Sequence, residues 1–281
     1  MQRGIEIKTP DQIAAMRRAG LVVSAGLEAM AAVAQPGVTT ADIADVGRDV
    51  LARAGAVSSF LHYGAVWGAP PYPSVVCLSP NDVVVHGIPG PTVLRDGDII
   101  SIDFGAIVDG WHGDAARTVA VGSADAAAMA LVEASRQAMW AGIAAIRPGA
   151  RIGDVSSAVA SSIEAQPARY GIVRDYTGHG IGTAMHQAPD VPNWGRPHRG
   201  PRIVVGMALC VEPMLTMGTE QVFEQDDGWT VKTGDGKWAS HWEDTIAVMA
   251  GGLWVLTEPE GGKAELEARG LKYAGDRDLG T

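Results

Sequence analysis

The sequence has very little of what secreted, membrane-spanning or disulfide-stabilised proteins need. It contains only two cysteines, Cys77 and Cys210, so neither a disulfide framework nor a zinc knuckle is expected, and a reducing cytoplasm is the default compartment. The longest apolar run, Leu21 to Ala34, contains Glu28 and is too short for a bilayer, which takes about 20 residues. The segment from Gln2 to Pro10 is polar and begins with a single arginine, so no signal peptide is expected.

An excess of positive charge is also absent. Acidic residues number 32 against 22 lysines and arginines, and the formal net charge is −10, so nucleic acid is not expected as a main ligand. No linker or low-complexity stretch divides the 281 residues, and an apolar content of 47% can fill a core. The G-x-S-x-G, H-E-x-x-H and P-loop motifs do not occur, which excludes those hydrolase and nucleotide sites.

Four carboxylates occupy matching positions along the chain. Asp103 and Glu212 each close a short apolar run that follows a glycine, whereas Asp114 and Glu243 each precede a short β-prone run, Thr-Val-Ala-Val or Thr-Ile-Ala-Val. For a single strand-end acid a turn is the commoner explanation. An unpaired buried carboxylate is costly, however, and such acids need a cation or solvent. Four of them in matching settings indicate one shared site.

The spacing of these features indicates an internal duplication. Asp103 and Glu212 are 109 residues apart, and the Pro-Gly pairs at 36–37 and 148–149 are 112 residues apart. Each half is predicted to hold two helices around its Pro-Gly turn, followed by strands. Two such halves would pack about a pseudo-twofold axis, and a site between them would draw acids from both.

Hydrophobic periodicity and turn residues predict an α+β chain with mainly antiparallel strands and helices on one face. The sequence Thr9-Pro10-Asp11-Gln12 is typical of a capping box, with proline at the first position of a helix that faces the core. Further helices are predicted at about 41–53, 124–146 and 152–164, and strands at 74–78, 83–86, 99–105, 115–121, 208–212 and 245–249.

Four histidines lie where they could complete the site. His86 ends a strand, His179 and His186 flank a glycine-rich segment, and His112 lies two residues before Asp114. Any one of these histidines, taken alone, would more often be a hydrogen-bonded structural residue than a functional one. Converging carboxylates, however, would repel one another unless about four positive charges neutralise them, which two divalent ions supply. One imidazole among four oxygen donors suits Mn, Fe, Co or Zn better than Ca or Mg, so the set predicts a metallohydrolase.

These residues resemble the dinuclear site of the methionine aminopeptidases of metallopeptidase family M24, in their type I form. The resemblance is carried by IDFGAIVDGWHGD, TGHGIGTAMH, CVEPML, HWEDT and YPSVVCLSPNDVVVHGIP, and it runs from about Ile5 to Leu256. It implies the pita-bread fold, with two pseudo-twofold-related αβ halves, about 5–122 and 123–256, around a mainly antiparallel curved sheet. We therefore expect a single catalytic domain over 1–256 and a polar tail over 257–281 that is a solvated helix or disordered.

Transferred position by position, the resemblance implies a role for each site residue. The implied ligands of two divalent ions are Asp103, Asp114, His179, Glu212 and Glu243, with Asp114 and Glu243 bridging both ions. Glu212 would also shuttle a proton, while His86 and His186 would bind the substrate and steady the reacting carbonyl. The implied methionine pocket consists of Tyr72, Cys77, Met185 and Trp229, for which ordinary core packing is the alternative explanation.

The implied activity is removal of the initiator methionine from nascent proteins whose second residue is small, by metal-activated hydroxide attack on the first peptide bond. The expected partners are therefore N-terminal peptides and, transiently, the ribosome, with no membrane and no nucleic acid substrate, for a cytoplasmic monomer. Which of Co, Mn, Fe and Zn is bound stays open.

Two alternatives remain. A proline-specific aminopeptidase or prolidase shares the metal core but usually carries an additional N-terminal domain, which is not expected here. A pita-bread protein that has lost its metal and binds peptides is disfavoured because the set of ligands is complete. One segment, 62–71, is longer than the family's usual run before Tyr-Pro. Because it borders the expected pocket, the upper wall of that pocket cannot be transferred from the family.

Overall fold

The computed structural model describes residues 4–65, 68 and 70–275. Within them the helices are α1 Pro10–Val33, α2 Thr40–Ala54, α3 Ala126–Ala145, α4 Ile152–Glu164 and α5 Lys263–Ala268. The strands are β1 Val57–Ser58, β2 Val76–Pro80, β3 Val83–Val85, β4 Ile99–Val108, β5 Trp111–Ala120, β6 Gly171–Ile172, β7 Gly178–Gly180, β8 Gln187–Val191, β9 Ala208–Val211, β10 Met214–Thr216, β11 Val222–Glu224, β12 Val231–Thr233, β13 Ala239–His241, β14 Asp244–Met249 and β15 Gly252–Val255.

Two larger sheets form the centre of the molecule. The first has the order β1-β4-β2, with β5 paired along the whole length of β4, and the second has the order β15-β14-β9-β7-β8. Strand pairs within both sheets are antiparallel, as predicted. The sheets are joined by Ala116 and Glu243, whose backbones exchange hydrogen bonds of 3.2 and 3.0 Å. This junction brings the end of the second sheet against the middle of β5.

Each sheet is covered by its own pair of helices. Apolar residues of α1 and α2 share a buried cluster with β4, and those of α3 and α4 share another with β9 and β14. The expected α+β class is confirmed, and the repeated helix-pair-on-sheet arrangement is what a duplication would give, although the duplication itself stays a prediction. None of the helices in the described part of the chain is long and apolar enough to cross a membrane.

The first helix begins at the predicted capping box. The Thr9 hydroxyl accepts from the Gln12 backbone at 3.3 Å, and the Gln12 side chain accepts from the Thr9 backbone at 2.9 Å. Further along α1, a Cβ at Gly20 would lie 2.0 Å from the Leu256 carbonyl oxygen. Only glycine therefore lets α1 approach the end of the second sheet this closely.

The main difference from the predicted strands is a long hairpin. Instead of separate strands at 99–105 and 115–121, β4 and β5 pair over ten residues each, from Ile99↔Ala120 to Val108↔Trp111. The two-residue connection is Asp109-Gly110, with φ of 51° and 80°. An Asp-Gly pair favours the type I′ turn that such hairpins need, so the hairpin was available in the sequence and was missed.

The segment after residue 256 packs on the domain through much of its length. It forms the short helix α5, but Leu266 is fully buried and Thr257 is 1% exposed, which differs from the solvated helix or disorder expected there. The guanidinium of Arg17 on α1 donates to the carbonyl oxygens of Leu256, Glu258 and Pro259 at 2.6–2.7 Å. These contacts hold the segment in place, while residues 276–281 of the predicted tail lie outside the described residues.

Candidate metal centre

The four predicted acids and His179 lie together where the two sheets join. Asp103 is on β4 and Asp114 on the neighbouring strand β5, whereas Glu212 follows β9 and Glu243 precedes β14. The backbone bridge at Glu243 draws the acids of the second sheet against those of the first. His179 is central in β7, which pairs with β9. The predicted convergence of acids from both parts of the chain is thus observed.

The ligand atoms of this cluster are close enough to share metal ions. Four overlapping sets of side chains have ligand atoms that all lie within 4.8 Å of one another: Asp103, Asp114 and Glu243; Glu212, His241 and Glu243; His179, Cys210 and Glu243; Asp114, His179 and His186. Glu243 belongs to three of these sets, so they form one continuous cluster. The Nε2 atom of His179 is 3.3 Å from Glu212 Oε1 and 3.9 Å from Glu243 Oε1.

The carboxylates of the cluster are buried, and no arginine or lysine among the described residues pairs with them. Burial raises the pKa of Asp114 to about 7, and burial together with repulsion between neighbouring acids holds the pKa values of Asp103, Glu212 and Glu243 well above their usual range. In residues 4–65, 68 and 70–275, only histidines lie within ion-pair distance of Glu212 and Glu243. Burial keeps the nearest, His179, neutral by lowering its pKa to about 3.

Several buried atoms of the cluster have no hydrogen-bond partner in the described part of the chain. They are Asp103 Oδ1, Asp114 Oδ1, Glu243 Oε1 and His241 Nε2. Unsatisfied buried carboxylate oxygens are rare and demand an explanation such as a bound ion. Four carboxylates and neutral imidazole nitrogens are the donors that transition-metal dications prefer, so the residues present fit a pair of divalent ions.

The two outer histidines line the same cavity as the carboxylates. His86 directly follows β3 in a left-handed conformation with φ of 59°, and burial lowers its pKa to about 4. The ring of His186 stands edge-on to that of His179, with centroids 4.2 Å apart. The Nδ1 atom of His186 is hydrogen-bonded to the hydroxyl of Tyr63. Both side chains can therefore reach a molecule bound at the carboxylates.

His112 stands apart from the ligand sets. Its Nδ1 is hydrogen-bonded to the Ser59 hydroxyl at 2.9 Å, and burial lowers its pKa to about 4. This is the ordinary structural role of a partly buried histidine.

The four predicted pocket residues come together beside the carboxylates. Tyr72, Cys77 and Met185 are buried in one cluster with Phe60, and Trp229 packs against it with its ring edge-on to Tyr72 at 5.3 Å. They border a cavity of about 290 Å³, near the lower end of the roughly 300–1,000 Å³ typical of small-molecule sites. All eleven predicted site residues line this cavity.

Tyr63, which belongs to the segment that departs from the family pattern, lines the cavity. The backbone N–H of His62 donates to the Tyr72 carbonyl at 2.8 Å, and that of Tyr72 donates to the Tyr63 carbonyl at 2.9 Å. The Trp229 indole donates to the Pro70 carbonyl at 2.8 Å. Residues 66, 67 and 69 of this segment lie outside the described residues.

Several residues that line the cavity were not among the predicted site residues, and two of them, Tyr63 and His241, lie against predicted site residues. Tyr63 belongs to the segment that could not be transferred from the family. His241 lies two residues before Glu243, and in an extended chain residues two apart face the same side. That spacing was a usable signal.

The fold and the site together define a class of protein. Residues 14–250 match the family model of metallopeptidase family M24, so the chain belongs to this family of metal-dependent hydrolases. The prolidase from Pyrococcus furiosus has a TM-score of 0.70 at 19% identity, covering 90% of this chain and 65% of that one, which shows a shared fold.

Within family M24 the chain groups with the methionine aminopeptidases. Methionine aminopeptidase 1 of Mycobacterium tuberculosis (strain CDC 1551 / Oshkosh) is 45% identical over 261 residues, covering 91% of this chain and 96% of that protein. The crystal structure of methionine aminopeptidase from Thermotoga maritima has a TM-score of 0.86 at 37% identity, covering 90% of this chain and 99% of that one. The expected pita-bread fold is confirmed by these structures.

Proposed function

We propose that this protein is a methionine aminopeptidase that removes the initiator methionine from nascent proteins whose second residue is small. The observation that carries the proposal is the position of the apolar pocket beside the carboxylate cluster. Tyr72, Cys77 and Met185 line the same cavity as Asp103 and Glu243. A substrate with its methionine side chain among these apolar groups would therefore place its first peptide bond near the metal centre.

The side chains that would hold two divalent ions are Asp103, Asp114, His179, Glu212 and Glu243. When bound, the ions polarise the scissile carbonyl and lower the pKa of water. Glu212 is proposed to move the proton from the attacking water to the departing amine. Its backbone is held by Asn193, whose side-chain amide donates to the Glu212 carbonyl at 3.0 Å.

His86 and His186 are proposed to bind the substrate around the reacting carbonyl. A neutral imidazole can donate one hydrogen bond, and burial keeps His86 neutral at physiological pH by lowering its pKa to about 4. The Tyr63 hydroxyl fixes the ring of His186 by its hydrogen bond to Nδ1, which leaves Nε2 for the substrate.

The pocket is proposed to recognise the methionine thioether by dispersion. Sulfur and aromatic groups are soft and polarizable, and Tyr72, Trp229 and Met185 supply such surfaces. A methionine at position 185 rather than an aromatic ring would make the wall adaptable, because methionine has three rotatable bonds.

The compartment, assembly and domain arrangement are proposals as well. Both cysteines are free and buried, which suits a reducing cytoplasm. All of the cavity residues come from one chain, so a monomer would be sufficient, and nascent substrates would require transient contact with the ribosome. A single catalytic domain over 1–256 with two related halves is supported by the two helix pairs that each cover a sheet.

Peptide cleavage by metal-stripped protein tests the proposal. Met-Ala-Ser, Met-Lys-Ser and Ala-Pro-Ser are supplied separately while Mn, Co, Fe or Zn is added singly, and released amino acids are quantified. Metal-dependent release of methionine from Met-Ala-Ser alone is expected. Cleavage of Ala-Pro-Ser would instead assign a proline-type activity, and no cleavage of any peptide with any metal would indicate a binding protein.

A further inference from the structure

His241 is a buried side chain that the proposed mechanism does not use. It ends β13, where its backbone N–H donates to the Thr118 hydroxyl at 2.9 Å and its carbonyl accepts from the same hydroxyl at 2.8 Å. Pairing with Met214 of β10 fixes the strand from the other side. The residue is 2% exposed, and in the described part of the chain its Nε2 has no hydrogen-bond partner.

The extended backbone directs His241 toward the carboxylates. Residues two apart share a face, so His241 and Glu243 point to one side, while Trp242 and Asp244 point to the other. Contacts on the second side agree, because the guanidinium of Arg117 lies 5.0 Å from the Trp242 ring centre and 2.7 Å from Asp244 Oδ1. His241 therefore faces the cavity rather than the interior behind it.

The distances around His241 Nε2 distinguish a shared ion from a hydrogen bond. This atom is 3.6 Å from Glu212 Oε2 and 4.0 Å from Glu243 Oε2. Both distances exceed the roughly 2.7–3.2 Å of an N–H···O hydrogen bond. Two donors that each lie about 2.0–2.2 Å from one ion can be up to about 4.4 Å apart, so both distances are compatible with a common ion.

His179 has the same relation to the same two acids from the opposite side. Its Nε2 is 3.3 and 3.9 Å from the Oε1 atoms of Glu212 and Glu243, whereas His241 lies near their Oε2 atoms. The two imidazoles thus flank one pair of carboxylates.

We propose that His241 is a further metal ligand of this centre, binding through Nε2 an ion that Glu212 and Glu243 also hold. The inference rests on the metal centre of the proposed function and adds a second imidazole to its donor set. A second nitrogen donor favours Zn, Co or Fe relative to Mn, since imidazole suits the former and oxygen ligands suit the latter.

X-ray absorption spectroscopy of the cobalt-loaded protein tests the ligand count directly. With two ions per chain, we expect an average of about one imidazole per ion in the native protein and about one half in His241→Gln and in His179→Gln. The matched control is His198→Gln, because His198 is 85% exposed and pairs with Asp154; it should keep the native count. A native count of one half would overturn the proposal without any need for a variant.

Metal affinity supplies a second readout. Calorimetric titration with Co²⁺ should show at least about tenfold weaker binding at one of the two sites in His241→Gln, and unchanged binding in His198→Gln. Circular dichroism of the metal-free variants checks that each is folded. Unchanged affinity in a folded His241→Gln protein would contradict the proposal.

Cleavage of Met-Ala-Ser by the native protein separates the two claims. If the peptide is cleaved but the average is one half imidazole per ion, only the role of His241 is overturned. If the average is one imidazole per ion but the peptide is not cleaved, the role of His241 is supported and the proposed activity is contradicted.

Discussion

Glu243 and Asp244 are neighbours in sequence and are both buried, but their carboxylates face two different environments. Asp244 Oδ1 accepts from Arg117 at 2.7 Å and from the Thr257 hydroxyl at 2.6 Å. Glu243 faces the other side, among three further carboxylates, and in the described part of the chain its carboxylate has only histidines within ion-pair distance. The two faces of one short strand thus hold a compensated acid and an uncompensated one.

The two sides of this segment differ in the source of the positive charge that balances their acids. On the Asp244 side the chain supplies its own cation, since Arg117 also pairs with Glu258 at 2.7 Å. Burial opposes the charge of Arg117, but Asp244 and Glu258 raise its pKa. On the Glu243 side the described residues supply only neutral histidines, so a cation bound from solution would have to neutralise the acids. Asp244 and Glu258 on the first side therefore hold the chain's own cation, whereas the acids of the second side are those proposed to bind metal.

The largest effect is expected from exchanging the uncompensated acid. Glu243→Gln should lose tight metal binding and lower kcat/KM by at least about 10³-fold, with the fold kept, because it removes a charge that only the metal needs. Metal content after dialysis and cleavage of Met-Ala-Ser measure this. Asp244→Asn is the matched control and should retain metal. Full turnover by Glu243→Gln would show that this acid is not a ligand.

Removing the internal cation should damage the fold instead. Arg117→Met leaves Asp244 without its partner, and breaking a buried pair in this way costs about 3–5 kcal/mol in the free energy of unfolding. The loss should occur with and without metal, as measured by urea denaturation. The exposed pair of Arg18 and Asp109 provides the comparison, since Arg18→Met should cost less than about 1 kcal/mol. If Arg117→Met and Arg18→Met lowered the free energy of unfolding equally, the buried and the exposed ion pair would not differ as claimed.

His86 lines the same cavity as the uncompensated acids but is not a proposed metal ligand, and His86→Ala tests its role. We expect kcat to fall about 100-fold while the metal content is unchanged, because the proposed hydrogen bond to the substrate is lost. Steady-state kinetics with metal analysis on the same sample provide the measurement. An unaltered kcat would remove the proposed role of His86.

The smallest effect is a pH dependence confined to the metal-free protein. The buried histidines affect the metal-free and the metal-loaded protein alike, because burial lowers the folded pKa of His86 to about 4 and that of His179 to about 3 and so keeps both neutral in either form. The pKa of Asp114, raised to about 7 by burial, keeps that carboxyl largely protonated in the folded metal-free protein below about pH 7, whereas in the unfolded state it is ionised above about pH 4. Between these two pKa values the contribution of Asp114 to the free energy of unfolding should fall as pH rises, by up to about 1.4 kcal/mol per pH unit, and it should fall no further above about pH 7.

Thermal unfolding of both forms between about pH 5 and 8 checks this prediction. The metal-free protein should lose stability relative to the metal-loaded protein up to about pH 7, because bound ions keep the carboxylates ionised throughout. If the thermal stability of the two forms changed with pH in the same way, the assignment of these carboxylates as metal ligands would be contradicted.

The features that could be predicted from the sequence are those that depend on residues close to one another along the chain. The capping box at Thr9 and the helix at 152–164 depend on residues within a few positions of one another, and both occur as predicted. The acids were found because each stands out against a short apolar run. The hairpin of β4 and β5 was also local, through Asp109-Gly110, but its signal was overlooked.

Other features depend on distant partners and could not be predicted. Strand β13 has three residues and exists through its pairing with β10, which lies about 25 residues earlier in the chain. A run so short carries no detectable alternation. His241 was therefore missed although its spacing from Glu243 placed it on the same face. The contact between Tyr63 and His186 likewise spans 123 positions and depends on how the segment 62–72 folds back.

Anomalous X-ray scattering from crystals of the protein soaked in Mn²⁺ would test most directly whether the uncompensated face is the metal centre. The account predicts two peaks in the cavity, among Asp103, Asp114, His179, Glu212 and Glu243, and no peak beside Asp244 and Arg117. Crystals without peaks at the carboxylate cluster, or with manganese bound only on the Asp244 side, would contradict it.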